Sequence, residues 1–223
     1  MSRIIQEMRR MGTFQFMTKL DLALLLGRKA RNAKELCLGL HEVPAMSVYY
    51  HTHRFLQQHH YLSPEPPNDF AYWVTNVLND DVLGERLASI DTMQFVSIEG
   101  IRQRFLSLLD EYLQTTDRKI DCPRGEEFHF ISCQTFVLRT PYTASTLAEF
   151  RDALEKVSFG TIYFHMFDAR MRPELGNNDF SIWTRDIGYP ELAEAIQGLD
   201  PYSHTLDGLR KAIIRLTRKY AGD

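Results

Sequence analysis

The sequence predicts a mainly helical protein, with α+β as the variant in which a few short strands open each half. Three observations carry this prediction. Self-comparison finds two related stretches of roughly 100 residues, helix-capping signals precede apolar residues at helical spacing in both, and strict alternation is confined to the opening of each stretch. The expected architecture is therefore a tandem duplication of a ~100-residue helical unit with an approximate two-fold axis, residues 1–118 forming one copy and 119–223 the other.

The relation is read residue by residue. Moving residues 14–51 along by 114 places them on 128–165, where nine positions are identical, Phe14/Phe128, Phe16/Phe130, Tyr49/Tyr163 and His51/His165 among them. Unrelated segments of this composition would share roughly two or three. The offset then falls to 110, which aligns Asn68-Asp69-Phe70 and Trp73 with Asn178-Asp179-Phe180 and Trp183, the only two tryptophans of the chain. The join is expected in the breaker-rich stretch Asp121-Cys-Pro-Arg-Gly125.

Each element follows from a local signal. Phe14, Phe16, Leu20, Leu22 and Leu24 alternate, as do Phe128 and Phe130, which suits short strands, although the first run is also compatible with helix. Asn32-Ala-Lys-Glu35 and Thr146-Leu-Ala-Glu149 have the capping-box form, so helices are predicted to start there and to end near Val43 and Val157. Second helices are placed from Ser47 and Thr161, third ones from Asn68-Asp69 and Asn178-Asp179. Fourth ones cover about 82–89 and 191–198, the latter entered through Pro190. The fifth pair follows Ser97 and Thr205, with Ile98, Ile101, Phe105 and Leu109, and then Leu206, Leu209 and Ile213, on one face.

Composition narrows the class. A chain of 223 residues with 44% hydrophobic and 25% charged residues is that of a globular protein. Its net charge of −3 gives no global attraction to nucleic acid or anionic lipid. With no apolar run long enough to span a bilayer and no signal-peptide pattern, a cytoplasmic location without membrane contact is expected. Cys37, Cys122 and Cys133 are an odd set without a C-x-x-C pair, which argues for reduced thiols over a disulfide framework or zinc knuckle.

At Gly27-Arg-Lys-Ala-Arg-Asn32, Tyr49-Tyr-His-Thr-His53 and Pro67-Asn-Asp-Phe-Ala-Tyr-Trp73 the chain resembles an uncharacterised bacterial family, domain of unknown function family 5752. The resemblance spans nearly the whole chain. It implies no activity and assigns no catalytic residue.

The polar positions shared by both stretches are the candidate ligand-binding residues: Tyr49, His51, Asn68, Asp69 and Trp73, and Tyr163, His165, Asn178, Asp179 and Trp183. Imidazole beside carboxylate is the material of general acid-base chemistry, and tryptophan with Asn, Asp and His suits a polyol. The same residues also suit caps, buried hydrogen bonds and core, which is the favoured reading. His51, His53, His59 and His60 do not make a metal site, since only His51 recurs, and neither metal nor cofactor is expected.

Residues 30–62 mimic a DNA-reading helical hairpin. Residues 28–60 carry five basic against two acidic groups, whereas 142–174 carry four against five, so only one half could meet phosphates. The expected function is a non-catalytic binding or regulatory module for a small polar ligand or a protein partner, in an assembly state the sequence leaves open. An enzyme on a carbohydrate-like or other polar substrate, using the paired His and Asn-Asp positions, is the first alternative, and a helix-turn-helix regulator the second.

Overall fold

The computed structural model describes residues 12–58, 67–116, 120–171, 177–199 and 204–221. Strand β1 (Phe14–Ala30) leads into helices α1 (Ala33–Glu42), α2 (Ala45–Gln58), α3 (Asp69–Asn76), α4 (Asp81–Ala88) and α5 (Ile98–Thr115). Strand β2 (Phe128–Ala144) leads into α6 (Leu147–Lys156), α7 (Phe159–Met166), α8 (Asp179–Asp186), α9 (Pro190–Gln197) and α10 (Leu206–Ala221). Short 3-10 turns occupy Thr92–Gln94 and Asp168–Met171.

The strands overturn the predicted fold class. They are not a few short segments but two strands of 17 residues each, paired in one two-stranded sheet, and the protein is α+β. The sheet is antiparallel. The Gln15 amide donates to the Thr140 and Tyr142 carbonyls at 2.9 and 3.1 Å, and the Thr140 hydroxyl donates to the Phe16 carbonyl at 2.8 Å. The run from Phe14 to Leu24, for which helix was the other reading, is strand throughout.

The duplicated ~100-residue helical unit is overturned as well. The described residues form two compact units, and neither is a continuous run of about that length: one takes residues up to 20 and from 135 onward, the other 21–58 and 67–134. The reason is where the strand phenylalanines go. In the first unit Phe14 and Phe16 pack on Phe150 and Phe180, and Phe14 also on Trp183, with ring centroids 5.5 to 6.1 Å apart. In the second, Phe128 packs on Phe70 at 5.3 Å and Trp73 at 5.7 Å, and Phe70 on Phe105 at 5.1 Å. Each helical core is thus completed by residues more than 100 positions away along the chain, or beyond the last helix of its own run.

Helix starts lie where their caps predicted them. Asn32, Asn68, Ser97, Thr146 and Asn178 each accept from the backbone N–H three residues on. Glu35 and Glu149 reach back to the N–H of Arg31 and Ser145, one residue before the cap, which satisfies a second donor. The second helices begin earlier than predicted, α2 directly after Pro44 and α7 after Ser158, whose hydroxyl accepts from Thr161 N–H. The far ends of α1 and α6 are closed by arginines: Arg102 donates to the Leu40 and Val43 carbonyls at 2.6 and 2.8 Å, and Arg210 to Val157 at 2.6 Å.

Along both strands burial changes with position. Phe14, Phe16, Phe128 and Phe130 are buried, whereas Leu20, Leu22, Leu24, Phe136 and Leu138, continuing the same alternation, are exposed. Gly39 of α1 sits so close to the Phe130 ring that a Cβ there would overlap it, which is why the helix carries no side chain at that position. No described helix is long and apolar enough to cross a membrane.

Two fully buried phenylalanines contribute roughly 3 to 6 kcal/mol, a large share of the 5 to 15 typical for a domain. A fragment 1–118 lacks Phe128 and Phe130 and is expected to melt without a cooperative transition, whereas 1–144, which restores them, should melt cooperatively. Circular dichroism against temperature distinguishes the two outcomes.

Candidate functional site

The candidate residues come together around two histidines. His51, on α2, has its Nδ1 2.8 Å from Asp69 Oδ2, and its Nε2 accepts the backbone N–H of Ile131 at 2.9 Å. In the other unit His165, on α7, has Nδ1 2.8 Å from Asp179 Oδ2, and its Nε2 accepts from Met17 N–H at 2.8 Å. A backbone N–H can only donate, so Nε2 is the acceptor in both rings. The proton therefore sits on Nδ1 and points to the carboxylate.

These imidazoles are enclosed. His51 lies 4.7 Å from the Phe128 ring and His165 4.9 Å from that of Phe14, centroid to centroid. The aspartates differ in environment, since the Asp69 side chain is 46% exposed and that of Asp179 only 7%. Each pair is a relay from a helix-bound carboxylate through imidazole to a strand amide.

The remaining candidates are engaged in the same framework. Asn68 and Asn178 cap α3 and α8, and Asn68 also donates to the Leu87 carbonyl at 3.1 Å. Trp73 is buried and donates from its indole to the Glu126 carbonyl at 2.8 Å, and Trp183 to Gly12 at 3.0 Å. Tyr49 stacks on His53 at 4.8 Å, and Tyr163 on Phe167 at 4.9 Å with the Lys19 ammonium over its ring. That ammonium also meets the Asp168 carboxylate at 2.7 Å. His53 turns its Nδ1 to the Thr52 hydroxyl, so it does not converge with His51, and His59 and His60 lie outside the described residues.

A profile described as Family of unknown function (DUF5752) matches residues 11–218, most of the chain. The protein belongs to this family. The three stretches that carry the resemblance now have a physical reading in this family member: Gly27–Asn32 ends β1 and caps α1, Tyr49–His53 holds the histidine that binds β2, and Pro67–Trp73 supplies its aspartate, cap and tryptophan. The fold is similar to that of OrfY from Thermoproteus tenax, with a TM-score of 0.78 and 29% identity over 95% of this chain and 96% of that one. No curated protein sequence matches at a significant level.

Two features of this family member escaped sequence reasoning. One is a cleft of about 520 Å³ whose lining includes Asn32, Lys34, Asp80, Tyr112 and Asp121, none of them among the paired candidates except by neighbourhood. Four of these polar side chains are paired with one another, Asn32 donating to Asp121 at 2.6 Å and the Tyr112 hydroxyl to Asp80. The other is the grouping of Cys37 and His41 on α1 with Asp110 on α5. Burial, reinforced by the hydrogen bond and charge of Asp110, pushes the Cys37 thiol up to about 12, so the free thiol is no nucleophile at neutral pH. Only the i, i+4 spacing of Cys37 and His41 was available from sequence, because the third member is 73 residues further on.

Removing either aspartate leaves the imidazole N–H without its acceptor. Water can replace Asp69 at its exposed site but not Asp179, so Asp179→Ala is expected to cost about 2 to 3 kcal/mol and Asp69→Ala about 1. Chemical denaturation of both variants measures the difference.

Proposed function

We propose that this protein is a non-catalytic binding module for a protein partner, engaged through the uncovered apolar stretches of its strands. One observation carries the reading. Of the eleven exposed large hydrophobic residues among those described, six are strand residues: Leu20, Leu22, Leu24, Leu25, Phe136 and Leu138. Soluble proteins scatter such residues singly, and three exposed apolar strand residues in each unit mark stretches that another molecule covers.

In one unit the bonds between Gln15 or Phe16 and Thr140–Tyr142 set the pairing, which brings Leu20 level with Phe136 and Leu138. In the other unit Leu22, Leu24 and Leu25 follow on β1. Among the described residues each strand is paired with one other strand only, so beyond the stretches bound by the histidines a partner segment can add main-chain hydrogen bonds to apolar contact. The enzyme alternative finds less support, because His51 and His165 spend both ring nitrogens on internal bonds and neither offers a free base to a substrate.

The test begins with in-cell cross-linking to identify a partner, followed by reconstitution from purified components. Leu20→Lys and Leu138→Lys should weaken that complex at least tenfold while leaving the melting temperature unchanged, since both side chains are exposed. Wild-type affinity in both variants would contradict the proposal.

A further inference from the structure

We infer that Cys37, His41 and Asp110 form a binding site for a borderline-soft divalent cation of the zinc class. Cys37 and His41 lie four residues apart on α1, hence on one face, and α5 brings the Asp110 carboxylate against that face. One ligand atom from each residue lies within 4.8 Å of the other two.

The spacing suits a tetrahedral ion. With metal–sulfur and metal–oxygen bonds of about 2.3 and 2.0 Å, two ligands of a tetrahedron stand ~3.5 Å apart. Cys37 Sγ and Asp110 Oδ1 are 3.3 Å apart, bridged by the thiol proton. On binding, the ion takes the place of that proton, which leaves to solvent, and the resulting thiolate and carboxylate neutralise the dication's two charges. Neutral His41 supplies the third ligand through a ring nitrogen lone pair.

The donor set selects the class of ion. Thiolate and imidazole favour zinc or cobalt over calcium or magnesium, which require oxygen ligands. Cys37 is buried, while His41 and Asp110 are exposed, so the ion enters from solvent and keeps an outward coordination position for water. The site lies within a single unit and is independent of the strand surface proposed above.

Titrating the full-length, metal-free protein with Co²⁺ tests the inference directly. One equivalent should produce a sulfur-to-cobalt charge-transfer band together with intense tetrahedral visible bands, and Zn²⁺ should abolish both by displacement. Cys37→Ser should remove the charge-transfer band, Cys122→Ala should leave it intact, and His41→Ala or Asp110→Asn should weaken binding by at least about tenfold. The circular dichroism spectrum of each variant confirms that it is folded. Absence of the band in the wild type, its survival in folded Cys37→Ser, or unchanged affinity in folded His41→Ala would overturn the assignment.

Discussion

The structure depends on two backbone amides that lie in strands yet donate to histidines. Met17 N–H and Ile131 N–H are satisfied by His165 and His51, and each imidazole is oriented by an aspartate from the start of the next helix. A buried N–H without a partner costs about 1 to 3 kcal/mol, so strand, histidine helix and aspartate helix must be in place together. This coupling explains the pattern of polar burial. His165 and Asp179 are nearly sealed, and the aromatic rings of Phe14, Phe16 and Phe180 exclude water from their hydrogen bonds.

From that constraint the division of each strand follows. Near Phe14–Met17 and Phe128–Ile131 the strands are bound to helices through aromatic packing and the histidine bonds. Among the described residues Leu20, Leu22, Leu24, Leu25, Phe136 and Leu138 stay exposed instead. In each unit the candidate binding stretch is therefore held on a strand whose other end is locked, which lowers the ordering cost of docking. The cation site plays a separate part, joining α1 to α5 through groups that are not involved in the strand bonds.

Much of this was legible in the sequence, and the failures have physical causes. Caps at Asn32, Asn68, Ser97, Thr146 and Asn178 are local signals, readable because side chain and backbone partner are three residues apart. The histidines, aspartates and tryptophans could be singled out, but their partners could not: Trp73 donates 53 residues away and Met17 148 residues away. Strand length was obscured by Leu24-Leu25-Leu26, an unbroken apolar run that period-two alternation does not explain. Identities between residues 14–51 and 128–165 suggested continuous helical units, yet the phenylalanines in those identities serve helices elsewhere in the chain.

The central claim is that the strand amides of Met17 and Ile131 are locked by the histidine–aspartate pairs. Native-state hydrogen exchange, followed residue by residue, measures it most directly. Both amides are predicted to exchange only through global unfolding, with free energies equal to those of the slowest core amides. Exchange of either one on the timescale of the exposed Leu22–Leu25 segment would contradict the account.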